Sequence, residues 1–470
     1  MNTKLESATQ GPKPRYRRLW VWFGVILTVL CGVFAVWRGM LAADVSRELD
    51  KITVAGLPIG GKQLNAYYPD VPIGSNAALM MDRAFKQLTR PIPRDQALLD
   101  HIDLLRNGIL TDEDWRAMEN WLSLNTNVIA TVDEALKIPQ CRYFVDYSMG
   151  YNSPVPHLRA IKKISMLSQF QARLMIQREQ WQDAIVAAAR IPRLARTLEN
   201  EPSISAQDTR IIVMCSGCGE LQYYLGTHQP DESALSLFEG AFEYNETNAV
   251  LRGVVGDRAM LLPYFRLGLK DYGYLGMILN TQSSPSPQVA QMGPPTSFLS
   301  ATGLLERDLL SYLKTLDSVL QICQLPPPQW CEAGKLLRKY RDTVGGRLVI
   351  PRVVLLSTDF AYIDKVVDCI AQVRMARAAI AVERYRLSSG KLPDSLAILV
   401  PQFLSSLPVD PFDGQPLRFK RMVKGYVIYS VGPDGVDNGG KEQIKNSKDG
   451  IPGEPNAASE PWDISFIVER

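Results

Sequence analysis

Histidine is scarce in this 470-residue chain. There are three, His101, His157 and His228, and none stands in a spacing that suits a metal ion or a base paired with a nucleophile. The chain also lacks a nucleophile elbow, a zinc-protease helix and a phosphate-cradling glycine loop, which removes the hydrolases and nucleotide enzymes that carry those motifs. A basic body is missing too. The formal net charge is +3, but Lys4, Lys13, Arg15, Arg17 and Arg18 against the single acid Glu6 put +4 into residues 1–18, so the remainder sums to −1. A nucleic-acid binder needs its cations on the folded part, where they release counterions from phosphate, so no nucleic-acid partner is expected. With 46% hydrophobic and 21% charged residues, the composition excludes wholesale disorder, collagen and a polytopic transporter. The length leaves room for two or three globular units.

What is present begins with an anchor. Between Arg18 and Arg38 lie nineteen uncharged residues, LWVWFGVILTVLCGVFAVW. As a helix they reach about 28 Å, near one hydrocarbon core. Trp20, Trp22 and Trp37 stand toward the two ends, where indole rings prefer the headgroup region. The cationic cluster before the span predicts a cytoplasmic amino terminus and an extracytoplasmic body. A cleaved signal is the alternative, but its apolar region runs only about 7 to 15 residues, and the nearest cleavage candidate, Leu41-Ala42-Ala43, has a leucine where a small residue is needed.

The exported part divides by texture. Residues 38–75 contain VAGLPIGG and YYPDVPIGS and read as an extended stalk. Residues 76–365 read as an irregular helical bundle. Thr111 followed by Asp112, Glu113 and Asp114 is a helix start, with acids at the positive end of the dipole. The clearest amphipathic run covers residues 158–198: Leu158, Ile161, Ile164, Leu167, Phe170 and Leu174, then Trp181, Ala184, Ile185 and Ala188 after the polar break Arg178-Glu179-Gln180. It predicts a helical hairpin or one interrupted helix. No second copy follows at a spacing of about 34 residues, so a regular solenoid is not expected. Helical patterns recur over 206–227, 232–243 and 302–323, and residues 280–297 form a proline-rich loop.

Of seven cysteines, Cys31 lies in the apolar span, and the other six would face an oxidising compartment. Cys215-Ser216-Gly217-Cys218 has redox spacing but sits in a helical pattern, which favours two packed thiols over a redox centre. Cys323 and Cys331, on either side of QLPPPQW, are the candidates for a local disulfide.

From about Val366 a long helix runs to Gly390, a natural left-handed stop, followed by a short helix from Asp394 to Leu399. PLRFKR and YVIYSVG on either side of Lys424-Gly425 predict an antiparallel hairpin, and DISFIVE a last strand. Glu383-Arg384-Tyr385-Arg386 reads as a solvated helix face with Tyr385 turned inward. The order of helix, Gly390, Leu392-Pro393, Leu407-Pro408-Val409-Asp410-Pro411-Phe412, Gly414 and Tyr429-Ser430-Val431-Gly432-Pro433-Asp434-Gly435 resembles the globular part of the major pseudopilin of type II secretion systems. The resemblance covers roughly the last hundred residues. It implies a helix on a small antiparallel sheet and a calcium-binding loop after the tyrosine-serine strand. The chain as a whole is similar to uncharacterised single-span membrane proteins of planctomycete and verrucomicrobial type, through Tyr68-Pro69, Asn76-Ala77-Ala78 and the carboxy-terminal unit. It departs from pseudopilins in having no acid in the apolar segment and more than three hundred residues between that segment and the carboxy-terminal unit.

Calcium needs six to eight oxygens on a tightly bent chain. GPDGVDNGG offers Asp434, Asp437 and Asn438, with Asp449 or Asp463 to close the shell. The alternative is a polar turn whose Asp and Asn side chains cap their own backbone. The expected fold is therefore mainly α: a cytoplasmic basic tail over 1–18, a transmembrane signal anchor over 19–37, the stalk, the bundle, and a small pseudopilin-like α+β domain with an antiparallel sheet over 366–470. The expected function is a non-catalytic, membrane-anchored scaffold of the bacterial envelope linked to type II secretion or pilus-like machinery, with no catalytic residue assigned. The alternatives are an envelope hydrolase built from acids of the helical domain and an accessory pseudopilin.

Overall fold

A computed structural model describes residues 16–92, 95, 110–266, 301–344, 361–441 and 462–470, and the structural statements below concern those residues. The fold is mainly helical with one small three-stranded antiparallel sheet.

Helix α1 spans Tyr16–Val54, and its side chains from Leu19 to Trp37 are exposed. It is long and apolar enough to cross a membrane. The helix does not stop there, as an extended stalk from residue 38 would require. Leu41 and Val45 are buried, and Leu49 and Ile52 pack on the same core, so the purely apolar helix becomes an amphipathic one without a break. It ends where Gly56 takes φ +71° and the Leu57 amide closes back on the Ile52 carbonyl at 3.0 Å. Short helix α2, Gly61–Tyr67, and α3, Ala78–Gln87, follow.

The residues of the Tyr-Pro and Asn-Ala-Ala patterns hold this entry to the body. Tyr68 is 2% exposed, and its hydroxyl accepts from the Tyr143 amide at 3.2 Å. Asn76 Oδ1 accepts from the Ala78 and Arg142 amides, both at 3.0 Å, while its amide nitrogen donates to the Arg142 carbonyl. One buried side chain thereby satisfies three backbone groups on two segments.

Helix α4, Asp112–Ser123, begins as expected: Thr111 and Asp114 form a reciprocal capping box. After α5, Thr126–Ala135, the amphipathic run is a hairpin of α6, Pro156–Gln177, and α7, Trp181–Arg196, turned at Glu179, whose φ is +58°. Helices α8, Ile204–Thr227, α9, Glu232–Ala241, and α11, Leu304–Ile322, match the remaining helical patterns, and α10, Glu246–Leu261, is a helix that no pattern marked. Helix α12, Pro327–Val344, begins in the proline-rich segment, since proline is tolerated in a first turn that needs no amide donor. The proline-rich loop over 280–297 lies outside the described residues.

Helix α13, Tyr362–Ser389, packs against α8, α9, α10 and α12 as well as the sheet, so its first half is as much part of the helical body as of the carboxy-terminal unit. Residue 366 marks no gap in the packing, and one continuous core runs through both parts. The helix stops at Gly390 in the left-handed region, as expected, and the short helix after it is a 3-10 turn over Leu396–Leu399. Strands β1, Arg418–Met422, β2, Gly425–Ser430, and β3, Ile464–Val468, pair antiparallel in that order, with Arg418 opposite Tyr429 and Tyr426 opposite Val468. Tyr426, Ile428, Phe466 and Val468 are buried in the same core as α13.

Glu383 is not part of a solvated face. It is 1% exposed and accepts from the Tyr426 hydroxyl at 3.0 Å and from Arg470, whose guanidinium also donates to the Leu225 and His228 carbonyls. Its neighbour Arg384 reaches across to Glu232 and Glu239 on α9. Tyr385 does turn inward, against Phe403. Removing Arg470's guanidinium would leave a buried carboxylate with only Arg386, 3.9 Å away, at a cost of about 3 kcal/mol. Arg470→Ala should therefore lower the midpoint of denaturant unfolding, and adding Glu383→Gln should recover most of the loss. Equal stability of Arg470→Ala and the parent would show that the contact contributes nothing.

Candidate functional site

The acids of the expected calcium loop do lie together, after β2 and beside the start of β3, but their oxygens are turned to nitrogen donors. Asp434 Oδ1 accepts from the Val436 amide at 3.0 Å, and Asp437 Oδ1 from the Gly439 amide at 2.9 Å. Asp463 is 1% exposed and accepts from the amides of Asn438 and Gly440. Asn438 donates its side-chain amide to the Val436 carbonyl at 3.0 Å. The bonds of Asp434, Asp437 and Asn438 are the short backbone loops that Asp and Asn close in polar turns, whereas Asp463 reaches amides 23 and 25 residues away. Among the described residues, no group of three or more His, Cys, Asp or Glu is arranged to hold a metal ion. Asp449 lies outside the described residues.

A cation does sit at this end of the sheet, and it is Arg418. Its guanidinium donates to Asp410 Oδ2 at 2.7 Å and to Asp413, and lies 4.0 Å from Asp437. Burial pushes the Asp413 carboxyl up, but the Arg418 bond and charge and the Gln415 amide outweigh it and hold the group below the usual carboxylate range. Asp410, fully buried, accepts in addition from the Phe412 amide at 3.0 Å, the Ser430 hydroxyl at 2.8 Å and the Val431 amide at 2.9 Å. It joins the Leu407–Phe412 turn to the end of β2. Nothing in the spacing of Asp410 marked this role; only the tight Asp-Pro turn with Gly414 hinted at it. A calcium ion here would have to compete for these carboxylates with the Arg418 charge and the loop's own amides.

The helical body carries its own buried polar clusters. His157 Nε2 is 2.9 Å from Glu201 Oε2, the Tyr147 hydroxyl donates to Glu201 Oε1 at 2.8 Å, and Tyr143 stacks on the imidazole with centroids 4.4 Å apart. Glu201 is fully buried and His157 is 7% exposed, so the group ties α6 to the turn before α8 and meets no solvent-filled cleft. His228 stacks on Trp181 at 4.1 Å; burial and the nearby Arg470 lower its pKa. His101 lies outside the described residues. Arg173 forks onto Glu220 at 2.9 to 3.2 Å, and Arg190 pairs with Asp133 at 2.6 Å. The start-of-helix acids Asp112, Glu113 and Asp114 stand at the first turn of α4. A hollow of about 230 Å³ between α4, α5 and α6 is lined by Leu122, Ile129, Leu174 and Met175, and the Glu119–Arg178 ion pair closes on itself at 2.6 Å beside it. Its one acid is Glu119, and the Ser123 and Thr126 hydroxyls on its wall donate to backbone carbonyls.

Cys323 and Cys331 are free thiols, at the end of α11 and on α12. Burial pushes Cys323 up to about 12 and raises Cys331 as well. Cys215 and Cys218 are both on α8, as expected for packed thiols.

No family model matches the chain, and neither a curated protein nor a solved structure is similar to it.

Asp257 on α10 is the acid with a raised affinity for its proton. Burial pushes it from 3.8 to about 6, against the lowering effect of the Tyr151 hydroxyl at 2.7 Å and the Ile204 amide at 3.1 Å. Between those values the folded protein holds a proton that the unfolded chain has released, so stability falls as pH rises through the window, by about 3 kcal/mol in all. Asp257→Asn should melt above the parent at pH 7.5 and close to it at pH 4. Parallel melting curves at both values would rule this out. Calcium should leave the melting temperature of the intact protein unchanged relative to EDTA, because Arg418 and the backbone amides occupy the loop's carboxylates. A rise of several degrees with calcium would show that the loop rearranges to bind it.

Proposed function

We propose that this chain is a non-catalytic, single-span scaffold of the bacterial inner membrane, with its amino terminus in the cytoplasm and its helical body and pseudopilin-like end on the extracytoplasmic side, where they contact envelope components of type II secretion or pilus-like machinery. The observation that carries the reading is α1: one helix is exposed along a membrane-length apolar segment and then buries Leu41 and Val45 in the body. The anchor is continuous with the fold, as a scaffold requires and a free-diffusing enzyme does not. The closed ion pairs of the helical body support the same reading, because Glu201, Glu220 and Asp133 already have their partners.

The hydrolase alternative draws on the raised pKa of Asp257, a property of general acids. That carboxyl, however, is enclosed, with Oδ2 on Tyr151 and Oδ1 on Ile204.

Alkaline phosphatase joined behind Arg470 through a flexible linker should be active in cells, and a fluorescent protein that matures only in the cytosol should be dark at the same place. The reverse pattern would overturn the topology. Crosslinking in cells, followed by detergent purification of the intact protein, should recover subunits of a secretion or pilus-like assembly. Their absence from a preparation that retains the anchor would remove that partner class.

A further inference from the structure

Arginines of the helical body meet carboxylates edge-on. Arg173 presents Nε and Nη2 to Glu220, Arg190 presents the same two nitrogens to Asp133, and Arg374 presents them to Glu246, all at 2.6 to 3.2 Å. That edge of a guanidinium matches the two oxygens of one carboxylate. Arg258, in the last turn of α10, is 2% exposed, and the nitrogens it leaves without a hydrogen-bond partner are Nε and Nη2. Arg38, Arg142, Arg210, Arg252 and Arg470 each leave one nitrogen unbonded as well, but each commits another to an acceptor. Among the described residues, no hydrogen bond or ion pair joins the Arg258 guanidinium to any group.

The acids close to it are turned elsewhere. Asp257, the preceding residue, has Oδ2 on the Tyr151 hydroxyl and Oδ1 on the Ile204 amide. Asp317 on α11 is exposed and accepts from Gln321 at 2.8 Å. Burial lowers the Arg258 pKa against the opposing influence of Tyr312, Asp317 and Tyr67, yet a guanidinium keeps its proton in a protein. The dipole of α10 favours a cation in its last turn, but it amounts to about half an elementary charge and supplies no pair of acceptors along one edge.

We infer that Arg258 binds a small carboxylate ligand, with the two ligand oxygens on Nε and Nη2. The charge sets the valence, because one buried cation without a counter-charge takes one negative charge. The edge sets the class, since Glu220, Asp133 and Glu246 occupy the same edge of other arginines in this fold. The enclosure sets the size. No surface of either nitrogen is accessible, so the ligand is short, and a cover has to yield for it to enter. Tyr67 is that cover: it is half-buried and packs on the cluster of Leu64, Tyr68, Ala259 and Met260 next to Arg258. Arg252, whose guanidinium carbon lies 5.9 Å from the Tyr67 ring centre, adds positive charge to the approach. The inference holds whichever side of the membrane the body occupies.

The test uses the full chain in detergent, with acetate as the probe. Equilibrium dialysis with radiolabelled acetate should find one bound per chain, displaced by formate and not by chloride at the same ionic strength. Arg258→Lys keeps the charge and loses the edge, and should weaken acetate by about tenfold or more. Saturating acetate should raise the melting temperature of the parent by roughly 1–3 °C over sodium chloride and leave that of Arg258→Met unmoved. A structure of the parent determined in acetate should place both acetate oxygens on the Arg258 edge, and this reading needs no variant to fold. Absence of saturable binding to the parent, equal binding by Arg258→Lys, displacement by chloride as readily as by formate, or acetate seated elsewhere would each overturn the inference.

Discussion

The structure depends on burying the stretch of α13 from Ala378 to Glu383 all round. From Ala378 to Val382 five consecutive residues are buried, which happens only when a helix has no solvent face. Alanines at Ala371, Ala376, Ala378, Ala379 and Ala381 keep its radius small enough for α8 to lie alongside while the sheet covers the far half. This sets the electrostatics at its end. Glu383, in the same buried run, has Arg386 at 3.9 Å on its own helix, and its hydrogen-bonded cation is Arg470, 87 residues later. Burying the helix thus recruits a residue far along the sequence.

The helices with a clear period were legible in the sequence because their signal is local. Apolar residues every three or four positions, a polar break at Arg178-Glu179-Gln180 and a left-handed stop at Gly390 each act within a turn or two of themselves. The hairpin around Lys424-Gly425 and the last strand were legible for the same reason. The stalk was misread because the glycines and prolines after Val54 drew attention away from Leu41, Val45, Leu49 and Ile52, whose spacing continues a helix. The boundary near residue 366 rested on a change of texture, and texture carries no information about which distant helices cover α13.

The polar residues show the same division. The capping acids of α4 and the turn-closing Asp434 and Asp437 act on amides two or three residues away, so their spacing exposes them. Asp410 works across 21 residues to Val431, and Glu201 across 44 to His157, and no short motif could reveal either. Both carboxylates are buried against fixed partners, where they define geometry.

The proposed anchoring follows from where α1 meets the body. Arg38, at the edge of the apolar segment, donates to Glu306 at 2.8 Å on the first turn of α11. Just ahead of that turn, Gly303 adopts φ +77°, and a Cβ there would come within 2.7 to 3.1 Å of Arg38 and Trp37. The backbone conformation disfavours a larger residue, and a Cβ would also push on the Arg38 side chain. The start of α11 is therefore pressed against α1 where the helix leaves its apolar segment, and the contact continues through Leu41 and Val45. No flexible linker separates the apolar segment from the body, because α1 runs unbroken from one into the other. If the apolar segment lies in lipid, the body sits at one height and one tilt over the bilayer, so partners would meet the same face of the fold each time they approach along the membrane.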